Sequence, residues 1–411
     1  MKKKTQIILI LTCAIVLALG ALLSGEASGL RDFLYGGAQS TVTVSKEEYE
    51  SLKRFEKLGV IMDYINTYYY QDPDQDLMVE YAIQGMLSAL DDPYTFYYNE
   101  EAWSDLWADD EGTYAGIGVQ LLGNYETNTV TITQVFRDTP AEGAGVRKGD
   151  QLIRVDDIDV DATTMEAAVN HMRGESDSEV ELELIRKGEH VIVTMYRAVI
   201  HINRVEYTLL DDNVGYIAFY QFAGESDAEV RAAMEALEKQ GAKSIILDLR
   251  DNPGGWVSQA VSVADLFLDK ELLVYAEYRD GSRDESWTKD GKTDVPLYIL
   301  INGSSASSSE ILAGGLKNLG RATLIGTNSY GKGIIQYVIP VDETNKDGFQ
   351  FTVAQYYLND GTAVHKIGIA PDVVVEMPED LVGYYFELGD LSDPQLKAAW
   401  DLARTAGAAE E

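Results

Sequence analysis

Cysteine is almost missing from this chain: among 411 residues only Cys13 carries a thiol. With no second cysteine to pair with, disulfides, thiolate zinc centres and cysteine-nucleophile chemistry are excluded. Ile10-Leu11-Thr12 before Cys13 lacks the small residue of a lipid-attachment site, so a buried thiol in an apolar helix fits better. Histidine is also scarce. His171, His190, His201 and His365 are the only four, with no His-Glu-x-x-His among them, and no metal site is expected. Positive charge is the third shortage. Lys+Arg number 33 against 68 Asp+Glu, a formal net charge of -35 that repels phosphate backbones. Nucleic acid is therefore not expected as a partner, and the acidity reads as solvated faces.

What is present starts with Lys2-Lys3-Lys4 and an apolar stretch from Ile7 to Leu23, with no charge between Thr5 and Gly25. At about 1.5 Å per residue such a run nearly spans a hydrocarbon core, and lysines before it favour an N-in orientation. The expectation is a signal anchor over 1–25 in the cell membrane, single-pass, with the remainder extracytoplasmic. A cleaved signal peptide, giving a secreted protein, is the rival, but no good Ala-x-Ala site precedes Gly25. A polar tether over 26–43 follows. Ser45-x-x-Glu48 then reads as a capping box opening a helix with apolar residues at Tyr49, Leu52, Phe55, Leu58, Ile61 and Ile65. A second helical pattern ends at Asp91-Asp92-Pro93. These helices make an N-terminal element over 44–110 whose apolar face could serve a homodimer.

From Tyr114 the hydrophobic period becomes two. Strands are expected over 118–122, 130–136, 151–155, 180–184 and 191–195, interrupted by one helix over 165–172. Within this β-rich module, Gly116-Ile117-Gly118-Val119, Asp138-Thr139-Pro140-Ala141, Ala144-Gly145-Val146 and Gly149-Asp150 resemble a PDZ domain. The resemblance covers 111–198. It implies that Gly116 to Val119 receive a peptide C-terminus, with backbone N–H groups on the carboxylate and an extended peptide along the adjoining strand edge.

Beyond residue 199 strand and helix patterns alternate to about Glu376, implying an α/β core with a partly parallel sheet. Strands read over 214–220, 244–249 and 297–301, and helices over 226–239, opened by Ser226-x-x-Glu229, and 256–268. Three strand-to-loop junctions stand out, where α/β sheets place reacting groups. They are Asp248-Leu249-Arg250-Asp251-Asn252-Pro253-Gly254-Gly255, Asn302 to Glu310 with its run of serines, and Ser329-Tyr330-Gly331-Lys332-Gly333-Ile334-Ile335-Gln336. The serines lead into an apolar helical run, Ile311 to Leu316, so some face free N–H groups and a positive dipole end that favour an oxyanion. An N-cap in a polar loop explains the same serines. Lys332 would need a lowered pKa to act as a base, since an ordinary lysine at neutral pH is deprotonated in roughly one molecule in a few thousand. Gln336 falls on the same side of a strand as Lys332 and is an uncharged orienting amide. A surface lysine after a turn is the plain alternative. Gly326-x-x-x-x-Gly331-Lys332 also approaches a P-loop, but Gly333 stands in place of Ser or Thr and a strand pattern follows.

Together and in this order, behind the PDZ-like module, these segments resemble the carboxyl-terminal processing peptidases, also called tail-specific proteases. The resemblance implies an α/β multidomain fold with a crotonase-like protease core over 199–376 and an extension over 377–411. It also implies a serine endopeptidase that cleaves proteins at or near their C-termini, without a cofactor. Ser307 takes the nucleophile position of Ser305-Ala306-Ser307, Lys332 that of the base and Gln336 that of its support. Gly254 or Gly255 with Ser308 would line the oxyanion hole. Ser308 stands where many members carry alanine, which leaves Ser308 and Ser309 open as nucleophiles, and Gly368-Ile369-Ala370-Pro371-Asp372 looks like the family's closing segment. A catalytically idle PDZ scaffold and a small-ligand carrier on the same core are the alternatives. The tail beyond Pro378, with Tyr384, Tyr385 and Leu391, could pack on the core or complete a dimer.

Overall fold

The computed structural model describes residues 44–406, apart from 112, 125–126, 202, 290–292, 342–343, 345, 382–383 and 385. The apolar run expected to anchor the chain lies outside them. Among the described residues no helix is long and apolar enough to cross a membrane.

The chain divides into two compact units, one ending at Val79 and the other starting at Glu80. In the first, Ser45 and Glu48 form the expected capping box at the start of α1 (Lys46–Lys53), with Glu48 N–H on Ser45 Oγ at 3.1 Å and Ser45 N–H on Glu48 Oε2 at 2.7 Å. Helix α2 (Glu56–Tyr68) follows, and neither helix buries a residue. Their apolar residues Leu52, Phe55, Leu58 and Ile61 stay at least half exposed. Helix α3 (Gln75–Ser88) runs across the division.

The larger unit begins with β1 (Phe96–Tyr98) and α4 (Glu100–Glu111). The β-rich module follows: β2 (Thr113–Gly116), β3 (Val119–Asn124), β4 (Thr129–Val135), the short helix α5 (Pro140–Gly143), β5 (Gln151–Val155), β6 (Ile158–Asp159), helix α6 (Met165–Met172), β7 (Glu179–Arg186) and β8 (Glu189–Tyr196). Its sheet runs β3-β4-β5-β7-β8, with β6 on β5. Alternation along β7 sends Val180, Leu182 and Leu184 inward with Val130, Ile132 and Leu152, which is the period of two in the sequence made physical. Strand β9 (Ala198–His201) returns to pair with β2 and closes the module.

The core holds two sheets. In one, β10 (Val205–Leu210), β11 (Val214–Phe219), β12 (Ser244–Asp248), β15 (Leu297–Ile301), β16 (Ala322–Gly326) and β19 (Val373–Val374) lie in that order, parallel except for β10. Helices α7 (Ser226–Lys239), α8 (Val257–Ala264) and α9 (Ser308–Asn318) cover the face carrying Ile245 and Leu247, and α10 (Pro394–Ala406) covers the face carrying Ile246. Covered on both faces, β12 buries every residue, as central parallel strands do. The second, antiparallel sheet contains β13 (Leu272–Tyr278), β14 (Arg283–Trp287), β17 (Ile334–Pro340) and β18 (Gly348–Leu358), and it takes in β1. The segment before the β-rich module therefore contributes a strand to the sheet after it, which no local pattern announced. One local reading changes. Ser226 is the first helical residue of α7 and spends its hydroxyl on Gln259 Oε1 at 3.1 Å, so it is not the cap. The tail beyond Pro378 forms α10, whose Leu396, Ala399 and Ala403 pack on the parallel sheet.

Arg250 fastens α10. Its guanidinium meets Asp248 at 2.6 Å and Asp393 at 2.7 Å, both carboxylates being buried, and donates to Gln395 Oε1 at 3.0 Å. Asp393 Oδ1 also accepts the N–H groups of Gln395 and Leu396 in the first turn of α10. Removing one partner of a buried ion group leaves uncompensated charge, at a cost of about 3–5 kcal/mol. Arg250→Met is therefore expected to lower the thermal midpoint and release α10. The exposed Arg404→Met should change little. Calorimetry of both variants checks this, and equal midpoints would contradict the latch.

Candidate active site

Ser307 lies between β15 and α9, at the cap position of the helix, with φ 55° and ψ -116°. A non-glycine residue there costs on the order of 1–3 kcal/mol and persists only when its surroundings hold it. The neighbouring serines supply that hold. Ser305 Oγ donates to Leu249 O at 2.7 Å, Ser308 Oγ to Gly255 O at 2.8 Å and Ser309 Oγ to Asn252 O at 2.9 Å, all three residues being buried. Three hydroxyls of the cluster thus fasten the loop to the glycine turn, and Ser307 is left partly exposed.

The turn itself hangs on Asn252, which is fully buried. Its Nδ2 donates to Phe219 O at 2.8 Å and its Oδ1 accepts the Gly254 N–H at 2.9 Å. Gly254 has φ 98°, and a Cβ there would lie 2.8 Å from both Ser307 Cβ and Ser308 N. Only glycine permits this approach. Of the donors considered for an oxyanion, the Gly254 N–H is occupied by Asn252 in this structure, whereas Ser308 N–H opens α9.

Lys332 sits in the loop before β17, between Gly331 and Gly333, whose absent Cβ leaves room for the His365 backbone. Burial pulls its ammonium below the ordinary lysine pKa, while Asp92 and Glu310 act in the other direction. Its Nζ lies over the ring of Tyr94, 4.6 Å from the centroid. Gln336, on β17, gives its Nε2 to Thr352 Oγ1 at 3.1 Å.

Glu310 joins the two segments. Its buried carboxylate accepts the Ser307 N–H (2.8 Å) and the Lys332 N–H (2.8 Å) on Oε2, and the Gly331 N–H (2.7 Å) and Ser329 hydroxyl (2.5 Å) on Oε1. Ser329 Oγ also accepts the Ile369 N–H at 2.6 Å, which ties in the closing segment Gly368 to Asp372. Sequence reading gave Glu310 no role. The capping-box spacing Ser307-x-x-Glu310 was the available signal. Tyr94, Asp92 and Thr352 had none: Asp92 and Tyr94 arrive from the segment before β1, and Thr352 faces Gln336 only through the β17–β18 pairing.

The β-rich module places Ile117 and Gly118 just before β3, which Val119 opens; among the described strands β3 is an edge paired with β4, and it lies near α6 through Gly123 and Met165. Gly116 ends β2. Lys148 of this module reaches Asp251, beside the glycine turn, at 3.7 Å, and Arg137 pairs with Glu206 on β10. From the other flank, at the end of α4, Asp110 Oδ1 accepts Trp256 Nε1 at 2.5 Å and Gly224 N–H at 3.1 Å. The residues flanking the turn, Asp251 and Trp256, are thus tied to Lys148 of the module and to Asp110 at the end of α4. Among the described residues no cluster of His, Cys, Asp and Glu could hold a metal ion.

Family models match in the same order as the architecture: the N-terminal domain of the activating protease CtpB over residues 31–102, a PDZ domain over 115–195 and peptidase family S41 over 213–375. The carboxy-terminal-processing protease of Bartonella bacilliformis is 36% identical over 365 residues, covering 86% of this chain and 82% of that protein. The carboxyl-terminal-processing protease of Synechocystis is 38% identical over 329 residues, covering 78% and 76%. The carboxy-terminal processing protease CtpA of Bacillus subtilis is 34% identical, covering 86% and 75%. Among solved structures, the photosystem II D1 C-terminal processing protease superposes with a TM-score of 0.59 at 28% identity, covering 88% of this chain and 99% of that one. With relatives more than a third identical over most of both chains, and a PDZ module ahead of an S41 core, the protein belongs to the carboxyl-terminal processing serine proteases.

Proposed function

We propose that Ser307 is the nucleophile of this peptidase, neutral Lys332 its general base and Gln336 the amide that orients the base. The observation that carries the reading is the single buried carboxylate of Glu310 that binds the backbone N–H of Ser307 and of Lys332. It fixes the two chain segments at one spacing, while its charge favours the lysine's ammonium and burial opposes it. In the first step Lys332 Nζ takes the Ser307 proton as Oγ attacks the peptide carbonyl, and the leaving amine then receives that proton. Water attacks the acyl-enzyme, again through Lys332, and frees Ser307 and the new C-terminus. Ser308 N–H at the start of α9, with the Gly254–Gly255 turn, receives the oxyanion, and one such donor is worth about 3 kcal/mol. For Gly254 this requires that its N–H leave Asn252 Oδ1. Nζ must likewise turn from the Tyr94 ring toward Ser307. This chemistry draws on no cofactor.

The PDZ module supplies recognition and gating. A substrate C-terminus docks at Gly116 to Val119 and extends along the β3 edge. The Lys148–Asp251 pair lies between that module and the turn that carries the oxyanion donors, so movement of the module reaches the reacting atoms. The apolar stripe of α1 and α2 forms a homodimer contact, and the Ile7 to Leu23 segment anchors the chain with the protease outside the cell membrane.

On an unstructured protein with an apolar C-terminus, followed by mass spectrometry, wild type is expected to cleave, and Ser307→Ala and Lys332→Ala to lose activity by at least about a thousandfold. Cleavage persisting in either variant sinks the assignment. Glu310→Gln keeps the shape but offers one acceptor oxygen where two are used. A fall in kcat of at least about a hundredfold is expected, with a lower thermal midpoint. Wild-type kcat in a folded Glu310→Gln variant would remove Glu310 from the account.

A further inference from the structure

The segment ahead of the PDZ module supplies the surface on which Lys332 rests. Tyr94 is held there by two backbone bonds, by a third bond that steadies Asp92, and by a strand. Its N–H donates to Asp92 Oδ1 at 3.0 Å, its carbonyl accepts Gln350 Nε2 at 3.0 Å, and Asp92 Oδ2 accepts the hydroxyl of buried Thr95 at 2.6 Å. Strand β1, next in sequence, pairs with β18 from Phe96 opposite Gln350 to Tyr98 opposite Gly348. Thr352 on β18, which holds the Gln336 amide, gives its N–H to Thr95 Oγ1 at 3.4 Å. Tyr94, Lys332 and Gln336 are thereby tied to one framework, although more than two hundred residues lie between the first and the others.

An aromatic face attracts an ammonium through its quadrupole and offers a neutral amine no comparable attraction. The groups that act on Lys332 are Asp92 and Tyr94 from the segment before β1 and Glu310 from α9; the titratable residues in the neighbouring segments are Tyr330, whose hydroxyl meets that of Tyr94, and His365, which lies against Gly333. Tyr94 stays neutral there, its hydroxyl pushed up to about 12 by burial and by Tyr330.

We propose that Tyr94 is a positioning residue for the reaction: its ring is the seat that holds Lys332 as the charged, base-incompetent ammonium. Release of the proton to water weakens the seat and frees Nζ to turn toward Ser307. This rests on the reading of Lys332 as general base. The sign follows directly. The seat favours the protonated form and raises the Lys332 pKa, so removing the ring lowers it and moves the acid limb of the rate profile to lower pH.

Two measurements test this on the full chain. In Tyr94→Leu the acid limb of kcat/KM is expected to move down by about 0.5 to 1 pH unit, a three- to tenfold gain in the neutral fraction at low pH. Tyr94→Phe, which keeps the ring and loses the hydroxyl, should keep the wild-type limb. A merely structural role would lower the rate at every pH and leave the limb in place. The second measurement needs no catalysis: in the Ser307→Ala background, the pH dependence of Lys332 labelling by acetic anhydride, read by peptide mass spectrometry, should shift by the same amount with Tyr94→Leu. A labelling midpoint that is unchanged or higher in Tyr94→Leu overturns the seat, including where that variant has lost activity. Should Tyr94→Leu not fold, Tyr94→Met takes its place with the same outcomes. Cleavage by Lys332→Ala would instead overturn the general-base reading and leave the labelling result to decide the seat separately.

Discussion

The buried carboxylate of Glu310 is the constraint on which the candidate site depends. Placing a charge in the interior is expensive unless each of its lone pairs finds a donor, and here four donors from two loops converge on two oxygens. The requirement runs both ways. The bond from the Ser307 N–H helps hold the left-handed backbone there, and the N–H groups of the Gly331–Lys332 loop face the same carboxylate. Ser329, shared with Ile369, extends the tie to the segment that closes the core.

Around this point the structure spends hydroxyl groups freely. Ser305, Ser308 and Ser309 each fasten the Ser307 loop to the Leu249–Gly255 stretch, which Asn252 pins to β11. The serine run is thus a set of anchors surrounding one serine that is partly exposed. Arg250 performs the corresponding task on the other face of the sheet, binding the strand that leads into the glycine turn to α10. A site at the ends of parallel strands is rigid to the extent that both faces of the sheet are fastened, and here both are.

The lysine side is balanced differently. Burial opposes its charge, while Asp92, Glu310 and the Tyr94 ring favour it. Those influences come from chain segments on both sides of the PDZ module in sequence. Asp110 adds a second link from the segment before that module, to Trp256 just after the glycine turn, so in sequence the module is inserted between two parts of one packed framework.

The sequence by itself determined the family, the alternating strands of the PDZ module, the partly parallel core and the three strand-to-loop junctions. These are written in local signals: a period of two or 3.6, a glycine that must admit a close neighbour, a serine run before an apolar helix. What only the tertiary structure decided is which groups meet there. Tyr94 comes under Lys332 because β1 pairs with β18 some 250 residues away. Gln336 bonds Thr352 rather than the lysine, Asn252 occupies the Gly254 N–H, and Glu310, visible in sequence as a capping residue, becomes the hub of two loops. Pairing between distant strands is set by the whole core's packing and leaves no periodic mark in either segment. The serine and the lysine could therefore be read from the chain, while the groups that hold them, and that set the lysine's charge, could not.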